Sequence, residues 1–402
     1  MRILYHAPID LTLAQGHAVH VRRLTDALEA RRHVVHLISL APAAETSASA
    51  STWAGPSGGW TRMARRGPPK LGQLDLERRL RRAISAKLSQ FRPDLLLVRQ
   101  ELFSIAPLRL PRHIPLVVES NGAIAGFARL SGASRWRAAA AGWCEEALLR
   151  EADAIGVVSL SVRGALGLDD DTRVRVIPNG VWLPPLSADP DIVRAEAGAR
   201  PGDFVIVFAG NLSAVQGLSR LLAALARLGS AYTCWVVGEG AQRARLEHEH
   251  VERWMAAIRA PAGLEFVGPV SEERCAELVG AAQLVVAPYD ARVSGSVGLD
   301  SLKLLQAFAC DRPILVSESV TSAPLEEWGI GEQLPADDSD AWIAAVVRWR
   351  ERWVQAGQPL RDWPWPRGTG RGRKYVESER TWDHTAAEWE KTFASVSAAR
   401  AR

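Results

Sequence analysis

The sequence predicts an α/β protein made of two doubly wound domains. The chain has 402 residues, 47% hydrophobic and 23% charged, which is enough for two globular domains with real cores. Short apolar runs alternate with amphipathic segments twice along the chain, first from Arg2 and again from Phe204. Alternating strands and helices of this kind are typical of parallel sheets with helices on both faces. Prolines mark the connection between the two series: Pro184, Pro185, Pro190 and Pro201.

Composition and cysteine usage exclude several classes of protein. Residues 1–6 are too short and polar for a signal-peptide core, and no run of roughly 18 apolar residues could span a membrane. The nine histidines form no HExxH motif, so we expect no metal site. We expect a cytoplasmic protein, because the four cysteines form no CxxC pair and predict buried thiols in a reducing compartment: Cys144, Cys234, Cys275 and Cys310.

Positive charge is concentrated near the N-terminus. The chain carries a net charge of +4, but residues 1–100 hold 16 Lys and Arg against 7 Asp and Glu. Such a basic segment indicates an anionic membrane surface, a phosphate-bearing acceptor or nucleic acid as a partner. An ordinary solvated arginine-rich surface is the alternative. The expected location therefore includes peripheral attachment at the inner face of the membrane.

The first elements follow a strand–loop–helix–strand order. Residues 2–7 are a short apolar run that predicts a strand, and Gly16 lies in the loop after it. Residues 17–31 predict a helix, because apolar side chains recur every three to four positions. Residues 34–40 predict the second strand. This order opens a doubly wound α/β domain.

The least regular part of the chain is 41–70. It is rich in Ala, Ser, Gly and Pro, and we expect it to be a loop that is mobile without acceptor. Its interleaved aromatic and basic residues suit a membrane interface, a phosphate-bearing acceptor or single-stranded nucleic acid. A disordered solvated loop is the alternative. The residues concerned are Trp53, Trp60, Arg62, Met63, Arg65, Arg66 and Lys70.

Polar residues follow one of the next strands. Residues 71–91 predict an amphipathic helix, and 93–99 and 115–119 predict strands. Ligands of open α/β sheets bind at the carboxyl ends of the strands. Glu119 and Asn121, at such an end, are therefore expected to face the cleft. Hydrogen bonds within a loop or cap are the alternative for each.

The second series ends in a stretch that predicts an anion site. After apolar strands that begin at Phe204, residues 292–316 hold a Ser- and Gly-rich loop, a helix and a buried strand. Free backbone N–H groups and the helix dipole make a helix N-terminus attract anions. Lys303, one turn into the helix, adds a full positive charge. A buried helix whose Lys303 only extends to solvent is the alternative.

Several tracts resemble the retaining glycosyltransferases of family 4, also called group 1. Residues 300–313, DSLKLLQAFACDRP, resemble the donor-site motif SPLKLFEYMAxGxPV. Residues 174–181, VRVIPNGV, are similar to VIPNGVD, and 210–217, GNLSAVQG, to GRLxxxKG. Residues 15–21, QGHAVHV, resemble GGxxxHV with one Gly kept. The resemblance spans nearly the whole chain.

The resemblance implies the GT-B fold, with two facing Rossmann-like domains. The first would comprise residues 1–182 and take the acceptor, and the second, at 183–377, would take the nucleotide sugar. A helix within 378–402 would cross back onto the first domain. The nucleotide sugar would be a substrate, and neither a cofactor nor a metal is implied.

The resemblance also implies which residues form the site. Ser301, Leu302 and Lys303 would bind the diphosphate, Gln306 the ribose, and backbone groups near Val270 the base. The complete implied donor site is Gly16, Gly210, Asn211, Gln216, Val270, Arg292, Ser301, Leu302, Lys303 and Gln306. The implied catalytic residues are Lys303, Glu119, Asn121 and His20.

Some positions depart from the family pattern. Asn211 and Gln216 stand where the family has Arg and Lys, and Gln306 stands where it has Glu. A further family carboxylate falls at Gly298, with Asp300 the nearest acid. Neutral partners bind a diphosphate more weakly than cations. We therefore expect Lys303 to be the main cation, with Arg292 as a helper.

The implied function is transfer of a sugar from a nucleotide sugar to an acceptor. The expected enzyme is a metal-independent hexosyl-type glycosyltransferase that uses UDP rather than GDP and retains the anomeric configuration. The acceptor would be a saccharide, a lipid-linked molecule or a natural product. One alternative is a non-catalytic homologue that binds a partner or a nucleotide sugar. Nucleic acid is not the expected ligand, because no nucleic-acid-binding motif is present.

Overall fold

The computed structural model contains two parallel β-sheets covered by helices. It describes residues 1–42, 53–65, 69–110, 113–256, 263–293, 297–298, 300–318, 320, 323–357, 361–364 and 368–401. Across these residues one sheet has seven strands and the other six, which confirms the predicted α/β class. No helix in this part of the chain is both long and apolar enough to cross a membrane.

The first sheet has the strand order β3-β2-β1-β4-β5-β6-β7, and all its pairs are parallel. Parallel strands covered on both faces are mostly apolar, and β4 and β5 are accordingly buried at every residue. The strands are β1 Arg2–Asp10, β2 Val34–Leu40, β3 Trp60–Met63, β4 Leu95–Arg99, β5 Leu116–Ser120, β6 Ala154–Val157 and β7 Val174–Val176. The helices between them are α1 Gly16–Ala30, α2 Pro69–Gln90, α3 Ile124–Leu130, α4 Arg135–Glu151 and α5 Leu160–Ala165.

The second sheet has the strand order β10-β9-β8-β11-β12-β13 and is also parallel. Its strands are β8 Phe204–Ala209, β9 Tyr232–Val237, β10 Gly263–Gly268, β11 Leu284–Ala287, β12 Ile314–Ser317 and β13 Gly331–Leu334. Its helices are α6 Pro190–Glu196, α7 Leu218–Leu225, α8 Arg243–Ala256, α9 Glu272–Ala281, α10 Leu302–Ala309, α11 Leu325–Trp328, α12 Ser339–Gln355 and α13 Arg371–Glu379.

The last helix, α14 (Trp382–Ala401), returns to the first sheet as predicted. Its Trp389 and Phe393 are buried in the same apolar cluster as Leu24 and Leu28 of α1. The preceding helix, α13, packs its Val376 into the core of the second sheet. The chain therefore crosses between the two domains in the short segment that joins α13 to α14. The boundaries predicted at 182 and 377 stay predictions.

The prediction that 41–70 is a loop is wrong for residues 60–63, which form the edge strand β3. Leu37 of β2 pairs with Trp60 of β3, and the strands run parallel. Trp60 Nε1 donates to Ser39 Oγ at 2.8 Å, and its ring lies 5.3 Å from that of Trp53. A strand of four residues is too short for its periodicity to be recognised among Gly, Pro and Ser. Residues 43–52 and 66–68 lie outside the described part of the chain.

Candidate active site

Lys303 lies where the second sheet faces the first domain. It is the second residue of α10, whose N-cap, Ser301, accepts a hydrogen bond from Leu304 N at 3.4 Å. Lys303 Nζ donates to Gln216 Oε1 at 2.5 Å and to Tyr289 Oη at 3.1 Å. The structure thus brings together Lys303 and Gln216, which the resemblance assigned to the same diphosphate.

Tyr289 is part of this site although the sequence did not single it out. Its hydroxyl lies 2.9 Å from Ser301 Oγ, and Lys303 Nζ lies 4.7 Å from its ring centroid. It follows β11, so its position at the carboxyl end of a strand was the signal that could have found it. The hydroxyl and the ring together orient the ammonium group at the helix N-terminus.

Gly210 makes room for the lysine side chain. It directly follows β8 and has a φ of +157°, and a Cβ atom there would lie 2.5 Å from Lys303 Cε. Gly16, which the sequence predicted in the loop, is instead the first residue of α1. It lies across the interdomain cleft, where a Cβ atom would be 3.4 Å from Leu302 Cδ1. Two glycines from different domains therefore approach the start of α10. Side chains at these positions would narrow the space beside the predicted diphosphate site.

The other predicted donor residues surround this site without all being in contact. Asn211 is exposed after β8, and Val270 packs on the core of the second domain. Gln306 donates to Cys275 Sγ at 3.2 Å. Arg292 Nε donates to Asp290 Oδ1 at 2.8 Å, and its side chain is 66% exposed. An acidic partner thus balances the charge of Arg292, and its role as helper cation stays a prediction.

On the first domain, Glu119 does not face the cleft as predicted, because its side chain is 1% exposed and its oxygens are occupied. Oε1 accepts from Arg99 Nη1 at 2.7 Å and from Asn121 Nδ2 at 2.5 Å. His20 Nε2 lies 2.6 Å from the same oxygen, and Tyr5 Oη donates to Oε2. The carboxylate therefore holds the side chains around it in place and is not available to a substrate. Sequence position could not show this, because the partners come from three other elements.

The charges in this network are set by burial and by the neighbours. Burial opposes ionisation of Glu119, but His20 and Arg99 outweigh it and hold the pKa of the carboxyl well below its usual range. Burial and the adjacent Glu119 raise the pKa of Tyr5. Burial and the charge of Arg99 lower the pKa of His17 to about 4. At neutral pH the network therefore contains a carboxylate and a neutral phenol, and His17 near it is neutral.

The final helix also supports His20. The His20 ring meets the ring of Trp382 edge-on, with centroids 5.0 Å apart, and His20 is 3% exposed. His20 is therefore fixed between Glu119 and the C-terminal crossover and is nearly inaccessible to solvent. The resemblance implied that His20 is a catalytic residue; packing covers its ring here, and that role stays a prediction.

Asn121 does line a cavity, of about 650 Å³, at the carboxyl ends of β4 and β5. Charged and polar groups from the network reach it, and apolar side chains from the α3 region form the rest of its wall. A larger cavity, of about 900 Å³, lies near Met1, Asp94 and Pro115, where the strands begin. We take the smaller cavity as functional, because the polar network ends there. Its lining includes His17, Arg99, Gln100, Glu101, Phe103, Asn121, Ile124, Phe127 and Arg137.

A contact between the domains explains the missing carboxylate at 298. Gly298 has a φ of +68°, and a Cβ atom there would lie 2.4 Å from Val162 N of the first domain. Next to it, Val297 O accepts from Ala123 N at 2.9 Å, and the Val297 side chain is fully buried. A glutamate at 298 has no room in this arrangement. Residues 294–296 and 299 of the same loop lie outside the described residues.

Asp300, whose role the sequence left open, joins the donor-site loop to the interdomain crossover. It accepts from Arg380 Nη2 at 2.5 and 2.7 Å and from Asn179 N at 2.7 Å. Asn179 Nδ2 in turn donates to Asp300 O at 2.9 Å. The VIPNGV tract, the start of α10 and the segment before α14 are therefore held together. No pattern in the sequence around Arg380 pointed to this contact.

Two family sequence models match the chain. The model described as Glycosyltransferase Family 4 matches residues 14–183, and the one described as Glycosyl transferases group 1 matches 203–351. Among curated proteins, the chain is 23% identical over 266 residues to an alpha-maltose-1-phosphate synthase of Mycolicibacterium smegmatis. That alignment covers 64% of this chain and 66% of the relative, which is slightly less than two thirds of its length.

Solved structures of the same fold align over almost the full chain. A sucrose-phosphate synthase from Thermosynechococcus elongatus aligns with a TM-score of 0.75 at 18% identity, covering 99% of this chain and 100% of that one. Anabaena HepE, solved with UDP and glucose, aligns with a TM-score of 0.68 at 16% identity over 98% and 100%. WaaG, a glycosyltransferase involved in lipopolysaccharide biosynthesis, aligns with a TM-score of 0.68 at 12% identity over 97% and 99%. These alignments show that the chain has the same fold as these structures.

Proposed function

Because the chain belongs to the group 1 glycosyltransferases of family 4, we propose that it transfers a sugar from a UDP-sugar to an acceptor bound at the first domain. The observation that carries the proposal is the convergence of Gly210, Gln216, Ser301 and Lys303 at the N-terminus of α10, opposite Gly16. Backbone N–H groups, the helix dipole and one ammonium group in one place suit a diphosphate. UDP is the proposed nucleotide because structures of the similar Anabaena HepE hold UDP and UDP-glucose.

The proposed mechanism stabilises the leaving group through protein groups. Lys303 would neutralise charge that develops on the departing diphosphate, and Tyr289 and Gln216 would keep its ammonium group directed at it. Gln306 would bind the ribose, and the backbone near Val270 the base. Hexosyl transfer with retention and without a metal ion is part of the proposal, on the basis of the family resemblance.

We propose the 650 Å³ cavity as the acceptor site. It adjoins Asn121 and Arg99, so polar groups meet the acceptor on one side, while Phe103 and Phe127 offer apolar surface on the other. A saccharide, a lipid-linked molecule or a natural product that combines hydroxyl groups with apolar surface fits such a lining. Glu119 would act as a positioning residue, because it touches the side chains that line the cavity and not the cavity itself.

A non-catalytic homologue is the second candidate, and a specific observation favours it. Gly298 replaces the family carboxylate and packs on the backbone of Val162, while Asn211 and Gln216 replace two cations. A site with less charge could bind a nucleotide sugar without activating its leaving group. This candidate predicts binding of UDP-sugars with neither transfer nor hydrolysis.

Calorimetry and a UDP-release assay test the two candidates together. The purified protein is titrated with UDP, GDP and a panel of UDP-sugars, and UDP release is then followed with each UDP-sugar that binds. UDP binding with slow UDP release supports the proposed enzyme, because hydrolysis reports an active donor site without a known acceptor. UDP binding without release, with acceptor extracts present as well as absent, supports the non-catalytic candidate. Binding of neither nucleotide contradicts both.

A further inference from the structure

Helix α4 exposes two tryptophans on one face. Trp136 is 86% exposed and Trp143 is 60% exposed. They are seven residues apart, about two helical turns or roughly 10 Å, so both point the same way. Ala139 and Ala140 between them are exposed as well. The result is an apolar stripe in contact with water, of a kind that marks an interaction surface more often than a structural need.

Arginines flank the first of these tryptophans. Arg135 and Arg137, its exposed neighbours in sequence, project to either side of the stripe. Among the described residues neither of them forms an ion pair, whereas Arg150, near the other end of α4, pairs with Glu146. The positive charge beside Trp136 is therefore available to an external anion.

Helix α2 extends the same surface. Its Leu80 and Ile84 share one buried cluster with Leu148 of α4, so the two helices cover the same face of the first sheet. Their outer sides therefore point in the same direction. On the outer side of α2, Arg78 and Arg82 are exposed and Leu74 is 53% exposed. The basic first quarter of the chain thus presents part of its charge beside the tryptophan stripe.

The acceptor cavity opens next to this surface. Ser131, Gly132 and Arg137 line it, and all three lie within five residues of Trp136 along the chain. An acceptor that leaves the cavity on this side would pass the tryptophan stripe. The surface and the cavity are thus parts of one region of the first domain.

We propose that this α2–α4 face, formed by Leu74, Arg78, Arg82, Arg135, Trp136, Arg137 and Trp143, docks on an anionic lipid bilayer. Tryptophan side chains favour the headgroup region, because one part of the ring system is apolar and its N–H group can stay hydrated. Arginines beside them meet the phosphates of anionic lipids. The docking serves to hold the cavity at the surface, and in that respect the inference rests on the proposed function. Trp and Ala side chains exposed along one helix face can enter the headgroup region of a bilayer without a complementary pocket, which a protein partner would have to supply.

Vesicle sedimentation tests the docking without nucleotide or acceptor. The full-length protein is mixed with vesicles of phosphatidylcholine, with and without phosphatidylglycerol, at low and at high salt. We expect binding only to the anionic vesicles, and weaker binding at high salt, because salt screens the arginines. Arg78→Gln with Arg82→Gln should lower the partition coefficient about 25-fold, as each basic residue contributes about fivefold.

The tryptophans are tested by Trp136→Ala with Trp143→Ala, which should lower the partition coefficient roughly tenfold or more. The matched control is Ile192→Ala on the second domain, where an apolar side chain is also 60% exposed, and it should bind like the parent. Circular dichroism of each variant shows whether the fold is kept. Exposed positions of this kind tolerate alanine, so loss of binding reports the surface itself.

Three outcomes would overturn the inference. The parent does not bind anionic vesicles, or the tryptophan variant binds as well as the parent. Alternatively, the parent is a dimer in solution and the tryptophan variant is a monomer, in which case a second copy covers the face. Each is distinguishable from failure of the proposed function, because UDP binding and release are measured separately and without vesicles.

Discussion

Both carboxylate oxygens of Asp300 accept from Nη2 of Arg380, and this ion pair joins the start of α10 to the segment that leads into the last helix. Both side chains are 13% exposed, and Asp300 also accepts from Asn179 N. Lys303, three residues after Asp300, is the cation of the proposed donor site. The position of that cation is therefore tied to the crossover between the two domains.

The Asp300–Arg380 pair should be measurable in a double-mutant cycle. Asp300→Asn and Arg380→Gln should each lower the free energy of unfolding by about 2–4 kcal/mol, because each leaves a buried charge without its partner. The double variant should lose less than the sum of the two. The control pair is Arg150 and Glu146, 71% and 67% exposed, for which we expect a coupling near zero. Additive losses at 300 and 380 would mean that the pair has no structural role.

Lys303→Ala should weaken UDP binding about ten- to a hundredfold, which corresponds to roughly 1.5–3 kcal/mol for a hydrogen bond to a charged group. Lys303→Arg should restore little of it. Gly210 is packed so closely against the lysine stem that the wider guanidinium lacks space. Calorimetry measures both, with the exposed Lys374→Ala as control. If Lys303→Ala binds UDP as tightly as the parent, Lys303 is a packing residue and the proposed donor site is misplaced.

Gly298→Ala should destabilise the protein more than Gly167→Ala. Both glycines have similar left-handed backbones, with φ of +68° and +66°, so alanine is strained by about 1–2 kcal/mol at either position. Space surrounds residue 167, but at 298 a Cβ atom would meet the backbone of Ser161 and Val162. The difference between the two thermal midpoints therefore reports the interdomain contact. Equal midpoints would show that the contact between Gly298 and the first domain is absent in solution.

His6 should make stability fall in mild acid. It is fully buried on β1, and neither ring nitrogen has a partner among the described residues. Burial lowers its pKa from 6.5 to about 3. A depressed pKa means that the folded state disfavours the proton, so stability is complete above pH 6.5 and is lost as the pH falls toward 3.

His6→Leu should therefore flatten the dependence of the thermal midpoint on pH between about 6.5 and 3. In the parent, His6 should lower the free energy of unfolding by a few kcal/mol at acid pH, since one unit of pKa corresponds to about 1.4 kcal/mol. The His6→Leu variant should lack this loss. His113→Leu, at an exposed position, is the control and should keep the slope of the parent. An unchanged slope for His6→Leu would assign the acid sensitivity to other groups.

The family and the fold could be predicted from the sequence, but part of the site could not. The sequence motifs at 300–313 and 210–217 singled out Lys303 and Gln216 as candidate donor-site residues. In the structure Lys303 Nζ lies 2.5 Å from Gln216 Oε1. Glu119 was predicted to face the cleft because it ends a strand, yet it is buried. Strand position determines which edge of the sheet a residue occupies. It does not determine which neighbours fill the space in front of it.

Local patterns thus predicted the two α/β domains, because the period of apolar residues and the placement of Gly and Pro act over a few residues. The family resemblance, and not a local pattern, implied the return of the last helix. Tertiary structure alone decided that Gly298 meets Val162, that Asp300 pairs with Arg380, and that Tyr5 closes the carboxylate network. Asp300 and Arg380 lie 80 residues apart in sequence, and Tyr5 and Glu119 lie 114 residues apart. Only the packing of the two domains against each other, and of the last helix against the first domain, fixes which side chains share a buried space, and burial then sets their charge.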